Sequence, residues 1–195
     1  MPRREEQPLP RRLACSVVLC FCGICAAQAA DMGAPAVGAI APDFRSRNAV
    51  THEPVRLSEQ TGKVVVLTFW AAWCAPCRAE MPVLENLQSQ VTKDRLVVYA
   101  VPFQAPERAY PALVNIFRTL KVSLIEDRYG YISGHYRIDS LPHLFLIGRD
   151  GKIAAEHKGY STGGVEKLVA EVNDALRAPA AATESAAADS PPRAH

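Results

Sequence analysis

The chain has 195 residues, of which 49% are hydrophobic and 22% charged, with a formal net charge of +2. That length suits one folded domain with appendages. Arg3, Arg4, Arg11 and Arg12 against Glu5 and Glu6 account for the whole net charge and leave the remainder neutral. With no basic run interleaved with aromatics, nucleic-acid binding has nothing to rest on.

The first thirty residues join this positive flank to an uncharged stretch, 13–30, that ends in Ala27-Gln28-Ala29-Ala30. Positive flank, apolar core and small-residue end together mark a secretory signal, with cleavage near Ala29 or Ala30. An uncleaved anchor is the alternative, because about 18 apolar residues is near the lower limit for spanning a bilayer. Four of the six cysteines, Cys15, Cys20, Cys22 and Cys25, lie in this segment. A mature exported chain would keep Cys74 and Cys77 and carry no structural disulfide framework. Residues 31–41, rich in Gly, Ala and Pro, read as a linker. A domain follows over 42–177, opening with a short hairpin arm at 44–48 and 54–57 and a turn at 58–61.

Residues 63–82, KVVVLTFWAAWCAPCRAEMP, organise the rest. Val64 to Phe69 is too short for an independent helix and rich in β-branched residues, the pattern of a buried strand. The C-x-x-C of Cys74 and Cys77 comes next, then a helix-compatible run over 78–90. A buried strand running into C-x-x-C at a helix start is a redox arrangement. Only a thiolate attacks a disulfide, and the positive end of a helix dipole favours the thiolate. Cys74 is the expected attacking thiol and Cys77, one turn inside, the resolving one. A zinc site would need two further Cys or His ligands, and there is no second C-x-x-C and no closely spaced His pair.

Pro82 falls within the helix, where a kink is expected, and Val83, Leu84, Leu87 and Val91 share an apolar side. A strand over 96–101 is apolar throughout, as in a sheet covered on both faces. A helix over 106–120 follows, with Pro111 in its first turn and Leu113, Ile116, Phe117 and Leu120 facing inward. Then come a short strand at 122–125 and a weak helix over 127–137. Strands at 143–147 and 152–157 are joined through Asp150-Gly151, a hairpin signal. A helix over 164–177 carries Val165, Leu168, Val169, Val172 and Leu176 at helical spacing. Residues 178–195 cannot bury enough apolar surface to order themselves and read as a disordered tail. Trp70 reads as core and Trp73 as a shield beside the nucleophile. Tyr129, Tyr131 and Tyr136 read as packing.

Phe69-Trp70, the run Trp73-Cys74-Ala75-Pro76-Cys77-Arg78-Ala79-Glu80-Met81-Pro82, and Leu141-Pro142 before a strand resemble the TlpA-like branch of exported thioredoxins, over about residues 41–177. The resemblance implies an α/β thioredoxin-like fold: a central mixed sheet flanked by helices, with an N-terminal hairpin extension. It implies a cis peptide bond at Pro142, facing the cysteines and keeping metal off them. The backbone of Leu141 would pair with a substrate peptide by strand addition, with Trp73 and Pro76 beside it. Thioredoxins of the cytoplasm carry a buried acid on the central strand, and the matching position here is Thr68. Glu80, one turn after Cys77, matches the branch's acid and is a candidate for tuning or relaying a proton; the alternative is a solvated surface carboxylate. His143 stands where the branch has Thr, and a Cys2His metal site or a packed strand residue are both open.

The function implied is that of an exported, periplasmic thiol–disulfide oxidoreductase with no cofactor beyond the Cys74–Cys77 pair. It would reduce a specific disulfide in a partner protein of cytochrome c maturation or copper-site assembly and be recharged by a membrane thiol-reductant transporter. Ala75-Pro76 lies closer to the Gly-Pro of reductants than to the Pro-His of oxidants, leaving a disulfide donor as a second direction. A copper metallochaperone using Cys74, Cys77 and His143 is the reading from another class, since soft thiolates suit Cu(I). A peroxidatic cysteine motif is absent.

Overall fold

The computed structural model describes residues 34–179. The expected signal or anchor and the tail beyond residue 179 lie outside the described residues. Among the described residues no helix is long and apolar enough to cross a membrane.

The centre of the domain is β3, Val64–Trp70, buried at all seven positions. It is flanked in parallel by β4, Leu96–Pro102, and in antiparallel by β6, His143–Ile147. A two-residue strand β5, Ser123–Leu124, and β7, Ile153–Lys158, complete a mixed sheet of order β5-β4-β3-β6-β7. Both faces of the three middle strands are covered, which is why they read as continuous apolar runs rather than as alternation. The N-terminal arm pairs β1, Arg45–Arg47, with β2, Pro54–Arg56, in a separate two-stranded sheet. A 3₁₀ turn, Leu57–Gln60, follows it.

The strand pleat sends alternate side chains of β3 to opposite faces. Val64, Val66 and Trp70 join one apolar cluster with Cys77 and Leu84 of helix α1, Ala75–Gln90, and with Leu168 and Val172 of helix α4, Thr162–Arg177. Val65, Leu67 and Phe69 join another with Phe44, Leu57 and Tyr136. Thr68 therefore belongs to the face that α1 covers.

Several expectations give way. The linker read over 31–41 ends sooner: Gly38 N donates to Ile153 O at 2.8 Å, Ile153 N to Ala39 O at 2.9 Å and Ala41 N to Gly151 O at 3.0 Å. These bonds hold residues 38–41 on the outer side of β7. Helix α1 starts at Ala75, three residues before the expected start, and its buried residues are Cys77, Glu80, Leu84 and Gln88. Val83, Leu87 and Val91 only flank that line. Gln88 is buried because its amide serves the sheet: Oε1 accepts from Val98 N at 2.8 Å and Nε2 donates to Leu96 O at 3.1 Å.

The helix expected over 106–120 is a 3₁₀ turn, Glu107–Ala109, followed by α2, Tyr110–Phe117. Two turns present one narrow inward line, Tyr110, Leu113 and Phe117, and leave Ile116 54% exposed. Helix α3 shrinks to Tyr131–His135 because Asp127 caps it rather than joining it. The Asp127 carboxylate accepts from Ile132 N and Ser133 N, both at 3.0 Å, and from Ser133 Oγ at 2.6 Å. Of the three tyrosines read as packing, Tyr136 is buried whereas Tyr129 and Tyr131 stand exposed.

Candidate active site

The site forms where β3 ends and α1 begins. Cys74 is the N-cap of α1, with an extended backbone (φ −80°, ψ 106°), and its Sγ accepts from Cys77 N at 3.2 Å. Pro76 occupies the first turn, where no N–H is needed. Cys74 and Cys77 are joined as a disulfide with Cα atoms 5.3 Å apart. Cys74 is 5% exposed and Cys77 wholly enclosed, an order of access that suits an outer attacking and an inner resolving thiol. On reduction, a Cys74 thiolate would sit at the positive end of α1 with the Cys77 amide directed at it. Arg78 folds back so that Nη1 donates to Ala72 O at 2.8 Å, tying down the loop before the motif.

Glu80 continues the buried line of α1 one turn beyond Cys77. It is not a solvated surface carboxylate, being 5% exposed. Thr68 Oγ1 donates to Glu80 Oε2 at 2.9 Å. Burial pushes the Glu80 carboxyl up to about 7, against the opposing pull of the Thr68 hydrogen bond. The acid missing from the central strand is thus replaced by a hydroxyl that receives an acid from the helix above it. A carboxyl near neutrality is suited to exchanging protons with a thiol.

Leu141–Pro142 is a cis peptide bond. Pro142 is buried, and Pro142 O accepts from Gly159 N at 2.8 Å. Among the described residues nothing pairs with the Leu141 backbone. A groove of about 340 Å³ runs beside the disulfide, lined by Trp73, Cys74, Ala75 and Pro76 on one wall and Asp139, Ser140 and Leu141 on the other, together with Phe103. Trp73, 74% exposed, forms its lip rather than a closed lid. Phe103, Asp139 and Ser140 escaped the sequence reading. Their signal was position: Phe103 directly follows β4, whose carboxyl end opens beside that of β3, and Asp139-Ser140 directly precede the Leu141-Pro142 pair.

His143 does not join the site. It faces Phe69 in the β3–β6 register, and its ring stacks on Phe145 at 4.7 Å, so the pleat turns it to the face away from Cys77 and Glu80. Its Nε2 lies 2.8 Å from Glu156 Oε1, while Nδ1 is buried without a partner. Burial holds its pKa below the usual imidazole range, against the pull of Glu156. The Cys2His metal site is corrected accordingly. Among the described residues no group of three or more Cys, His, Asp or Glu is placed to hold a metal. His157, which carried no expectation, pairs with Glu171 at 2.6 Å.

The AhpC/TSA family profile matches residues 37–156. Thioredoxin-like protein YneN of Bacillus subtilis is 36% identical over 127 residues, 64% of this chain and 73% of that protein. Thiol-disulfide oxidoreductase ResA of Oceanobacillus iheyensis is 30% identical over 141 residues, 71% of this chain and 72% of that protein. Among solved structures, a Chlorobium tepidum protein described as thiol:disulfide interchange protein DsbE superposes with a TM-score of 0.64 at 29% identity, covering 73% of this chain and 99% of that one.

Proposed function

Because the chain belongs to the AhpC/TSA family of thioredoxin-like proteins and is a thiol–disulfide oxidoreductase, we propose that it acts as an exported reductant of a specific disulfide in a partner protein. The observation that carries this reading is Cys74 at the groove with Cys77 wholly enclosed behind it and Glu80 next to Cys77 along the buried line of α1. Cys74 thiolate attacks one sulfur of the partner disulfide, and the other sulfur leaves as a thiolate. The Cys77 proton passes to Glu80, and the Cys77 thiolate attacks Cys74 Sγ. The partner's second thiolate leaves and the Cys74–Cys77 disulfide forms. Two electrons have moved to the partner, whose thiolates take their protons from solvent.

The cis Leu141–Pro142 bond presents an unpaired Leu141 backbone on the wall opposite Trp73 and Pro76, which supports docking of an extended peptide across the disulfide. Resemblance to the TlpA-like branch supports an apocytochrome c or a copper-site assembly protein as the partner, and a membrane thiol-reductant transporter as the source of electrons. The uncharged stretch at 13–30 behind four arginines supports export.

The test is a redox titration of the Cys74–Cys77 pair against glutathione and dithiothreitol buffers. A potential near about −270 mV supports a reductant, and one near about −120 mV reverses the direction to disulfide donor.

A further inference from the structure

We infer that Glu80 exchanges its proton with solvent through a cleft at the start of α4, separate from the groove that takes the substrate. This rests on Glu80 being the proton partner of Cys77. Glu80 Oε2 is occupied by Thr68, and no described group donates to Oε1. Among the described residues, the unpartnered polar side-chain atoms that are fully enclosed are Trp70 Nε1 and His143 Nδ1, and Glu80 Oε1 is not one of them. Oε1 therefore touches open space.

That space is a cleft of about 20 Å³ bounded by Glu80 and Val83 of α1, Leu144 of β6, His157 and Tyr160 at the end of β7, and Val165 in the first turn of α4. A volume of that size admits about one water molecule. Val83, Tyr160 and Val165 are half-buried and the neighbouring Ser161 is exposed, so the cleft opens outward. The substrate groove shares no lining residue with it. His157, engaged by Glu171, is the titratable neighbour on the β7 and α4 side. Thr68 and Cys77 face Glu80 from β3 and α1, and β6 offers Leu144.

The separation has a mechanistic use. When a partner chain lies across the groove, the mouth above the disulfide is covered. Resolution still requires the Cys77 proton to move to Glu80 and onward to solvent as the Cys74–Cys77 bond forms and the Cys74–partner bond breaks. The rear cleft allows this while the partner remains docked.

The test compares two substrates of the reduced full chain by stopped flow. With dithiobis(nitrobenzoate), Cys74 takes up one small thionitrobenzoate and Cys77 expels it, with the groove left largely open. With a cysteine peptide long enough to cover the groove, activated as its thionitrobenzoate disulfide, Cys74 takes up the peptide and Cys77 must expel it from beneath cover. Val165→Leu narrows the cleft from α4, and Val83→Leu narrows it from α1. Either should slow the release step severalfold with both substrates and enlarge its solvent deuterium isotope effect, because Glu80 serves Cys77 in both and lines no part of the groove, while leaving the first attack by Cys74 unchanged; Val165→Ala should match the parent. Parental release kinetics in both leucine variants, or equal slowing of the first attack, overturns the cleft. Glu80→Gln should slow both substrates; if it slows neither, the proton role of Glu80 has failed, and the cleft with it.

Discussion

Thr68 on β3 and Glu80 on α1 meet across the interior with Oγ1 and Oε2 2.9 Å apart, two residues that neither local segment would bury alone. A carboxylate enclosed there is destabilised by lost hydration, and one hydroxyl compensates only in part. The Glu80 carboxyl ordinarily titrates at 4.5 and is pushed up to about 7 in the fold. The folded chain therefore holds a proton that the unfolded chain has released, and stability falls as pH rises through that window. Relative to the parent, Glu80→Gln should become more stable by about 3 kcal/mol between roughly pH 4 and pH 8. Urea unfolding of the oxidised forms at both pH values measures it; a constant difference would show that Glu80 ionises normally.

Thr68→Val removes the hydroxyl without removing volume. The hydrogen bond lowers the Glu80 pKa, so its loss should raise the pH midpoint of the Cys77 resolution step. Stability should drop by about 1–3 kcal/mol above that midpoint and by less below it. A pH–rate profile of the variant with dithiobis(nitrobenzoate) reads the shift, and a downward movement would contradict the assignment.

Exposure separates the two thiols. Cys77→Ser should accumulate a mixed disulfide through Cys74, stable on a non-reducing gel, whereas Cys74→Ser should accumulate almost none. Comparable trapping in the two variants would mean that the enclosed sulfur is reachable from the groove.

Gln88 is predicted to be a stability residue with no redox consequence. Its amide satisfies Val98 N and Leu96 O on β4 where β5 is too short to do so, and also donates to Val91 O at 3.2 Å. Gln88→Leu strands these groups and should cost about 2–4 kcal/mol in urea unfolding. The reduction potential should remain that of the parent.

His143 runs opposite to Glu80 in its pH dependence. Burial keeps it neutral when folded, so protonation of the unfolded chain should erode stability as pH falls below the ordinary imidazole value of 6.5. His143→Phe should flatten that acid limb and leave thiol reactivity unchanged, because the ring lies on the other face of the sheet. A changed rate of Cys74 attack would place the imidazole in the chemistry after all.

The strands and the C-x-x-C helix were legible because their signals are local: β-branched runs covered on both faces, and two cysteines at a helix start. Leu141-Pro142 was legible only through resemblance. What escaped was set by tertiary pairing. Resemblance singled out Glu80, but its pairing with Thr68 shows only once α1 lies over β3. Gln88 drew no reading because its partners are on a strand edge that β5 is too short to cover. His143 follows a proline beside the site in sequence, yet one step of the pleat carries it to the far face. Asp127 looks like a helix residue and serves instead as its cap.

The attachment of residues 38–41 to the β6–β7 hairpin sets a direction for the whole domain. Those residues meet Gly151 and Ile153 near the amino end of β3, whereas the disulfide lies past its carboxyl end. Seven residues of strand put about 20 Å between the two poles. The described chain thus enters the domain at the pole opposite the sulfurs. Changes of sequence at residues 38–41 should therefore disturb the base of the sheet and leave the local chemistry of the sulfurs unaltered.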